Sequence, residues 1–152
     1  MPYRLLMETA FDKDALCWLS SQRVAYLATT DVHAQPHLVP VVFVLVDQEI
    51  FISIDEKPKK HKMLKRLSNI RENPKVSLIA DHYDDDWRQL RWVRIDGIAT
   101  ILANAPQDST DPFKSAVSEL KSKYWQYEQM DLSSGPIIKI TLIAINSWRA
   151  NG

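Results

Sequence analysis

Between Glu56 and Arg66 the chain carries one acid, Glu56, against six bases: Lys57, Lys59, Lys60, Lys62, Lys65 and Arg66. The whole chain has no formal net charge, so this positive charge is local. Such a cluster can hold an anion, and its position favours one. A strand-like run ending at Ile54 hands over to a polar turn and then to a helix-like run. The first N–H groups of a helix lack intrahelical acceptors and attract phosphate. Lys60 shares the helical stripe of Met63, Leu64 and Leu67, so its ammonium can face inward. The commoner role of a lysine run is a solvated helix face, since lysine forms helices well and is seldom buried. Against that, like charges at i, i+4, such as Lys62 and Arg66, repel each other. Taken alone, the segment is both a candidate phosphate cradle and a candidate wet surface.

Other groups capable of chemistry are less organised. The stretch "DHYDDDW", Asp81 to Trp87, offers four carboxylates and a histidine, but lacks the glycine and closing glutamate of a calcium loop. It is expected to be an acidic loop between strands that pairs with lysines of its own or a partner chain, and no metal is expected. His33, His37, His61 and His82 show no metal-ligand spacing. His37 is the one placed to hydrogen-bond a ligand. Cys17, the single cysteine, excludes an intramolecular disulfide and falls near an apolar helix stripe. With 3 glycines in all, the nucleophile-elbow and phosphate-loop motifs are absent. Trp87 and Trp92 can cover a planar ring or pack in a core.

The elements that must position these groups follow from periodicity. "TAFDKDALCWLSSQ" is predicted as a short helix capped by Thr9 or Asp12. "RVAYLATT" alternates with apolar residues on both faces, which predicts a strand buried on two sides. "PHLVPVVFVLV" is a second strand containing Pro40, which requires an edge, a bulge or a non-strand neighbour there. "EIFISI" follows as a third. A helix from about Lys59 to Glu72 stops at Asn73-Pro74. "KVSLIADHY" and "LRWVRIDGIATIL" are further strands, with Gly97 a bulge candidate. "DPFKSAVSELKSKYWQYEQ" is the clearest helix, and "GPIIKITLIAI" is the sixth strand. Six strands and three helices in this order predict one mainly β (α+β) domain over residues 1–152, an antiparallel barrel with peripheral helices.

Balanced charge argues against a general nucleic-acid or membrane-surface binder. The first residues lack a signal-peptide core, and the longest apolar run, Leu38 to Val46, is too short to span a bilayer. A cytoplasmic location is expected.

Together, "LAT" followed by "PHLVPVVF", the "KPKK" turn, "IRENPKVSL", "DHYDDDW" and "WVRIDG" resemble the pyridoxamine 5′-phosphate oxidase-like split β-barrel superfamily. The resemblance runs continuously from about residue 9 to 102, and is greatest to the deazaflavin (coenzyme F-420)-dependent branch. It implies a six-stranded antiparallel split barrel of the flavin reductase type. It also implies a homodimer with two cofactor sites at the subunit interface, each binding FMN or F-420. Carried onto this sequence, Val39, Pro40, Val41 and Val42 would contact the ring. Ser53, Lys57, Lys59, Lys60 and, from the helix, Arg66 would hold the phosphate. Trp92 and Arg94, from the partner subunit, and the C-terminal Trp148 and Arg149 would form the opposite wall. The chain lacks the longer arginine- and histidine-bearing C-terminal segment of true pyridoxamine 5′-phosphate oxidases, so vitamin-B6 oxidation is not expected. The resemblance therefore implies an oxidoreductase moving a hydride to or from a small organic substrate. Two other expectations stand beside it. One is a non-catalytic flavin or haem carrier or sensor, with His37 or His82 as the haem ligand. The other is an anion-binding interaction module, whose binding would collapse with salt.

Overall fold

The computed structural model describes residues 11–54, 64–103, 112–133 and 135–150. Lys57, Lys59, Lys60 and His61 lie outside the described residues. Helix α1 (Lys13–Ser21) starts where Asp12 accepts from the Asp14 and Ala15 N–H groups, at 3.0 and 3.2 Å. That bond satisfies donors the helix itself leaves unpaired. Helix α2 (Lys65–Glu72) begins later than its basic pattern suggested and ends at Asn73, before Pro74. Helix α3 (Pro112–Lys123) has proline at its first position, where the missing N–H costs nothing. Among the described residues no helix is long and apolar enough to cross a membrane.

The strands are β1 (Ala25–Thr30), β2 (Pro36–Val41), β3 (Val44–Val46), β4 (Glu49–Ser53), β5 (Lys75–His82), β6 (Arg91–Leu102) and β7 (Ile137–Arg149). They form one sheet in the order β2-β1-β5-β6-β7-β4-β3, each neighbouring pair antiparallel. Among the described residues there are seven strands rather than the six expected, because "PHLVPVVFVLV" breaks at Val42 and Phe43. Its first half lies on one edge of the sheet and its second half on the other, so the sheet must curl into a barrel. The break has a physical cause. The buried Phe43 N–H donates to the Tyr124 hydroxyl at 3.1 Å, and its carbonyl accepts from Lys123 Nζ at 3.0 Å. Backbone groups bonded to Lys123, at the end of α3, and to Tyr124, just after it, are not offered to a ladder. Pro40, on edge strand β2, costs no interior ladder bond.

Two cores follow. Inside the barrel pack Leu27, Phe43, Ile50, Ile52, Leu78, Val93, Ile95 and Ile140, closed by Leu19 of α1 and by Leu67 and Ile70 of α2. Outside, Phe113, Leu120, Tyr124 and Tyr127 cover Val44, Phe51 and Ile137. Each such aliphatic side chain contributes about 1.5–3 kcal/mol through burial. The β6–β7 register shifts between Asp96 and Gly97, which makes Ile143 of β7 the extra residue. A Cβ on Gly97 would lie 2.6 Å from both Ile140 Cγ2 and the Thr141 carbonyl oxygen, so only glycine fits without displacement.

Candidate cofactor site

The helix α2 is fixed at both ends to the β1–β2 turn. Lys65 pairs with Asp31 at 3.4 Å, and Glu72 accepts from the Val32 N–H at 3.2 Å. Asp31 is held below the usual carboxylate range by the Gln35 N–H foremost, then by the His33 N–H and Lys65. Lys65 is thus engaged, and among the described residues Arg66 beside it is the charge left to an anion at this helix start, and no side chain caps α2. Arg66 Nε is buried without a hydrogen-bond partner among the described residues. At the end of β4, Ser53 is buried and its Oγ likewise lacks a partner among them. These orphaned atoms stand just before and just after the basic segment. A buried donor without an acceptor costs about 1–3 kcal/mol, and a phosphate oxygen would satisfy it. Each of these atoms by itself suits a phosphate oxygen.

Beneath α2 lies a polar group that periodicity did not single out. Asn69 is fully buried, donates from Nδ2 to Thr29 Oγ1 at 3.0 Å, and leaves Oδ1 unpaired among the described residues. Thr29 pairs across the ladder with His37, whose buried Nδ1 also lacks a partner among them. The sequence signal was an asparagine between Leu67 and Ile70 of the buried stripe.

Val39, Pro40, Val41 and Val42 do not share a face. Val39 and Val41 turn toward the barrel interior, Pro40 is exposed opposite Tyr26, and Val42 packs toward the α3 side. What they share is the edge of the sheet, where main-chain N–H and C=O groups face no further strand. A planar ring with polar edges can use those groups.

The opposite wall is brought together in part. Trp92 stands directly across from Trp148, with Arg94 next on the same outward face, 3.5 Å from Asp96. Arg149 alternates to the other side and reaches Asp14 at 3.9 Å. Pro40, Tyr26, Ile79 and Arg94 form one row across β2, β1, β5 and β6. Three strand spacings separate Pro40 from Arg94, roughly 14 Å along the sheet. This outward face carries Tyr26, Leu38, Ile143 and Trp148, all exposed, with Leu38 at 66%. The two-sided apolar pattern of β1 is thus covered by this chain on one side only.

In the acidic loop, Asp84 accepts from the Asp86 N–H, and among the described residues Asp86 pairs with Arg88 at 2.9 Å. Arg88, foremost through its side-chain bond, lowers the Asp86 pKa. His82 lies 4.0 Å from Asp84.

The family model described as pyridoxamine 5′-phosphate oxidase matches residues 11–149 of the chain. No curated protein matches its sequence. Among solved structures, a conserved hypothetical protein from Mycobacterium tuberculosis is 21% identical, with TM-score 0.69, covering 92% of this chain and 86% of that one. An FAD-binding protein from Mesorhizobium loti is 21% identical, with TM-score 0.65, covering 90% and 94%. The heme storage protein from Vibrio cholerae is 12% identical, with TM-score 0.65, covering 92% and 94%. At these identities the likeness is one of fold.

Proposed function

The chain belongs to the pyridoxamine 5′-phosphate oxidase family, and from that premise we propose that it binds FMN or the deazaflavin F-420 between two copies of itself and acts as an oxidoreductase on a small organic molecule. The observation that carries this reading is that two buried polar atoms, Ser53 Oγ just before the basic segment and Arg66 Nε at its last residue, lack a partner among the described residues. When bound, the ring supplies the hydride chemistry. The chain's residues bind and orient it. Ser53, Arg66 and the lysines Lys57, Lys59 and Lys60 hold the phosphate. The free edge of β2 at Val39 to Val42 offers main-chain groups to the polar rim of the ring. Trp92 and Trp148 of the second copy exclude water from the opposite side. Burial of the exposed apolar face supports the homodimer, since a large exposed apolar patch marks an interface. The spacing between Pro40 and Arg94 supports assigning the two walls to different copies.

Titration of the purified protein with FMN and with F-420, followed by absorbance, tests this. Replacing Lys57 and Lys60 together with alanine should weaken cofactor binding about tenfold or more, while the melting temperature barely moves. Unchanged affinity would put the phosphate elsewhere, and a monomer that takes up neither cofactor would remove the whole reading.

A second reading is a non-catalytic flavin or haem carrier, favoured by the fold likeness to a heme storage protein. His37 and His82 are its candidate ligands, and a strong Soret band on haem addition, abolished by replacing one of them, would establish it.

A further inference from the structure

Arg91 and Arg149 form the last pair of the β6–β7 ladder, and both reach the same carboxylate, Asp14 on α1. The distances are 3.2 Å from Arg91 and 3.9 Å from Arg149. Asp12, the other acid nearby, is already committed to the first N–H groups of α1. With Ser147 and Trp148 these groups line a cleft of about 280 Å³. One half of the cationic wall is built firmly: the Arg91 side chain is 14% exposed and lies over the Trp18 ring at 4.6 Å, while Arg149 is 57% exposed. Its counter-ion is not, because the Asp14 side chain is 77% exposed. An acid in the first turn of a helix needs no arginine to be favourable there. Two guanidiniums directed at one exposed carboxylate exceed what holding α1 requires.

We propose that this cleft receives the carboxylate of a small planar organic acid, which displaces Asp14 from Arg91 and Arg149 and lays its apolar body against Trp148. Arginine forks match a planar carboxylate with two parallel hydrogen bonds. A singly charged carboxylate replaces the charge that Asp14 brings. A doubly charged phosphate would add repulsion from Asp12 and Asp14 together. Trp148 pairs with Trp92 across the ladder, whereas Arg91 and Arg149 point to the other face, so the bound carboxylate sits on the α1 side of the sheet. The binding of this acid does not rest on the cofactor reading above.

Calorimetric titration of the cofactor-free full chain with sodium benzoate, and separately with inorganic phosphate, tests the cleft. Asp14→Asn should tighten benzoate binding about tenfold and Arg149→Gln should weaken it about tenfold, as loss of one charge-assisted contact predicts. Arg91 is left in place because its stacking on Trp18 is part of the scaffold. Benzoate affinity that Asp14→Asn leaves unchanged or weakens would overturn the proposal, as would tighter binding of phosphate than of benzoate. Cofactor titration of the same preparations separates the two readings. Normal cofactor uptake without a benzoate response removes this inference alone, and a benzoate response without cofactor uptake removes the cofactor reading alone.

Discussion

Replacing Arg66 with methionine is expected to weaken FMN or F-420 binding by roughly ten- to a hundredfold, while the cofactor-free protein melts no lower than before. The two effects share one cause. In the free protein Arg66 Nε is buried without a partner among the described residues, so its presence costs stability there. Methionine keeps an unbranched apolar stem and removes the unpaired donor. With a phosphate present, the same donor makes a charge-assisted bond worth about 1.5–3 kcal/mol, and the variant loses it. Lys65 is not a substitute, because Asp31 already holds it at 3.4 Å. Fluorescence titration gives the affinity and a thermal melt gives the stability. A variant that melts lower yet binds as tightly would make Arg66 part of the scaffold.

Much of this arrangement was legible in the sequence, and what was not has a common origin. The period-two runs located the sheet, and Asp12 and Pro112 marked helix starts. Gly97 marked the bulge, although the extra residue is Ile143 on the facing strand. The break at Val42 and Phe43 was hidden, because the run is apolar throughout and the groups that interrupt its ladder, Lys123 and Tyr124, come 80 and 81 residues later. Asn69 was hidden for the same reason, since only its contact with Thr29, 40 residues away, makes it a buried polar centre rather than a lapse in a stripe. Trp148 and Arg149 were separable by simple alternation along a strand, yet the resemblance grouped them. Lys57, Lys59 and Lys60 keep their assignment only from the resemblance, whereas Arg66, the weaker sequence candidate, carries a buried donor without a partner among the described residues. Local pattern found the elements; the polar atoms that matter were set by contacts distant in the chain.

The corner at Phe43 should prove as sensitive as any core position, although only two side chains, Tyr124 and Lys123, are seen to hold its main chain among the described residues. The Tyr124 hydroxyl accepts from the Phe43 N–H and lies 2.8 Å from the Arg23 carbonyl and 3.0 Å from that of Phe43, to one of which it donates. Burial, foremost, raises its pKa, so it stays a donor at neutral pH. Tyr124→Phe keeps the ring, its edge contact with Tyr127 and the Arg23 guanidinium above it at 4.7 Å. It leaves a buried N–H unpaired, at an expected cost of about 3 kcal/mol, or a fall of about 10 °C in melting temperature. Lys123 gives the same corner a pH dependence. Burial first, and the Arg23 charge second, bring its amine down from 10.5 to about 8. Between those values the native state binds fewer protons than the unfolded chain, so stability attributable to Lys123 rises as pH climbs from about 8. Urea midpoints of the wild type minus those of Lys123→Met should therefore increase between pH 8 and pH 10. A difference that shrinks instead would mean that the ammonium's bond to the Phe43 carbonyl, with its 4.0 Å stacking on the Phe43 ring, outweighs the cost of burying the charge.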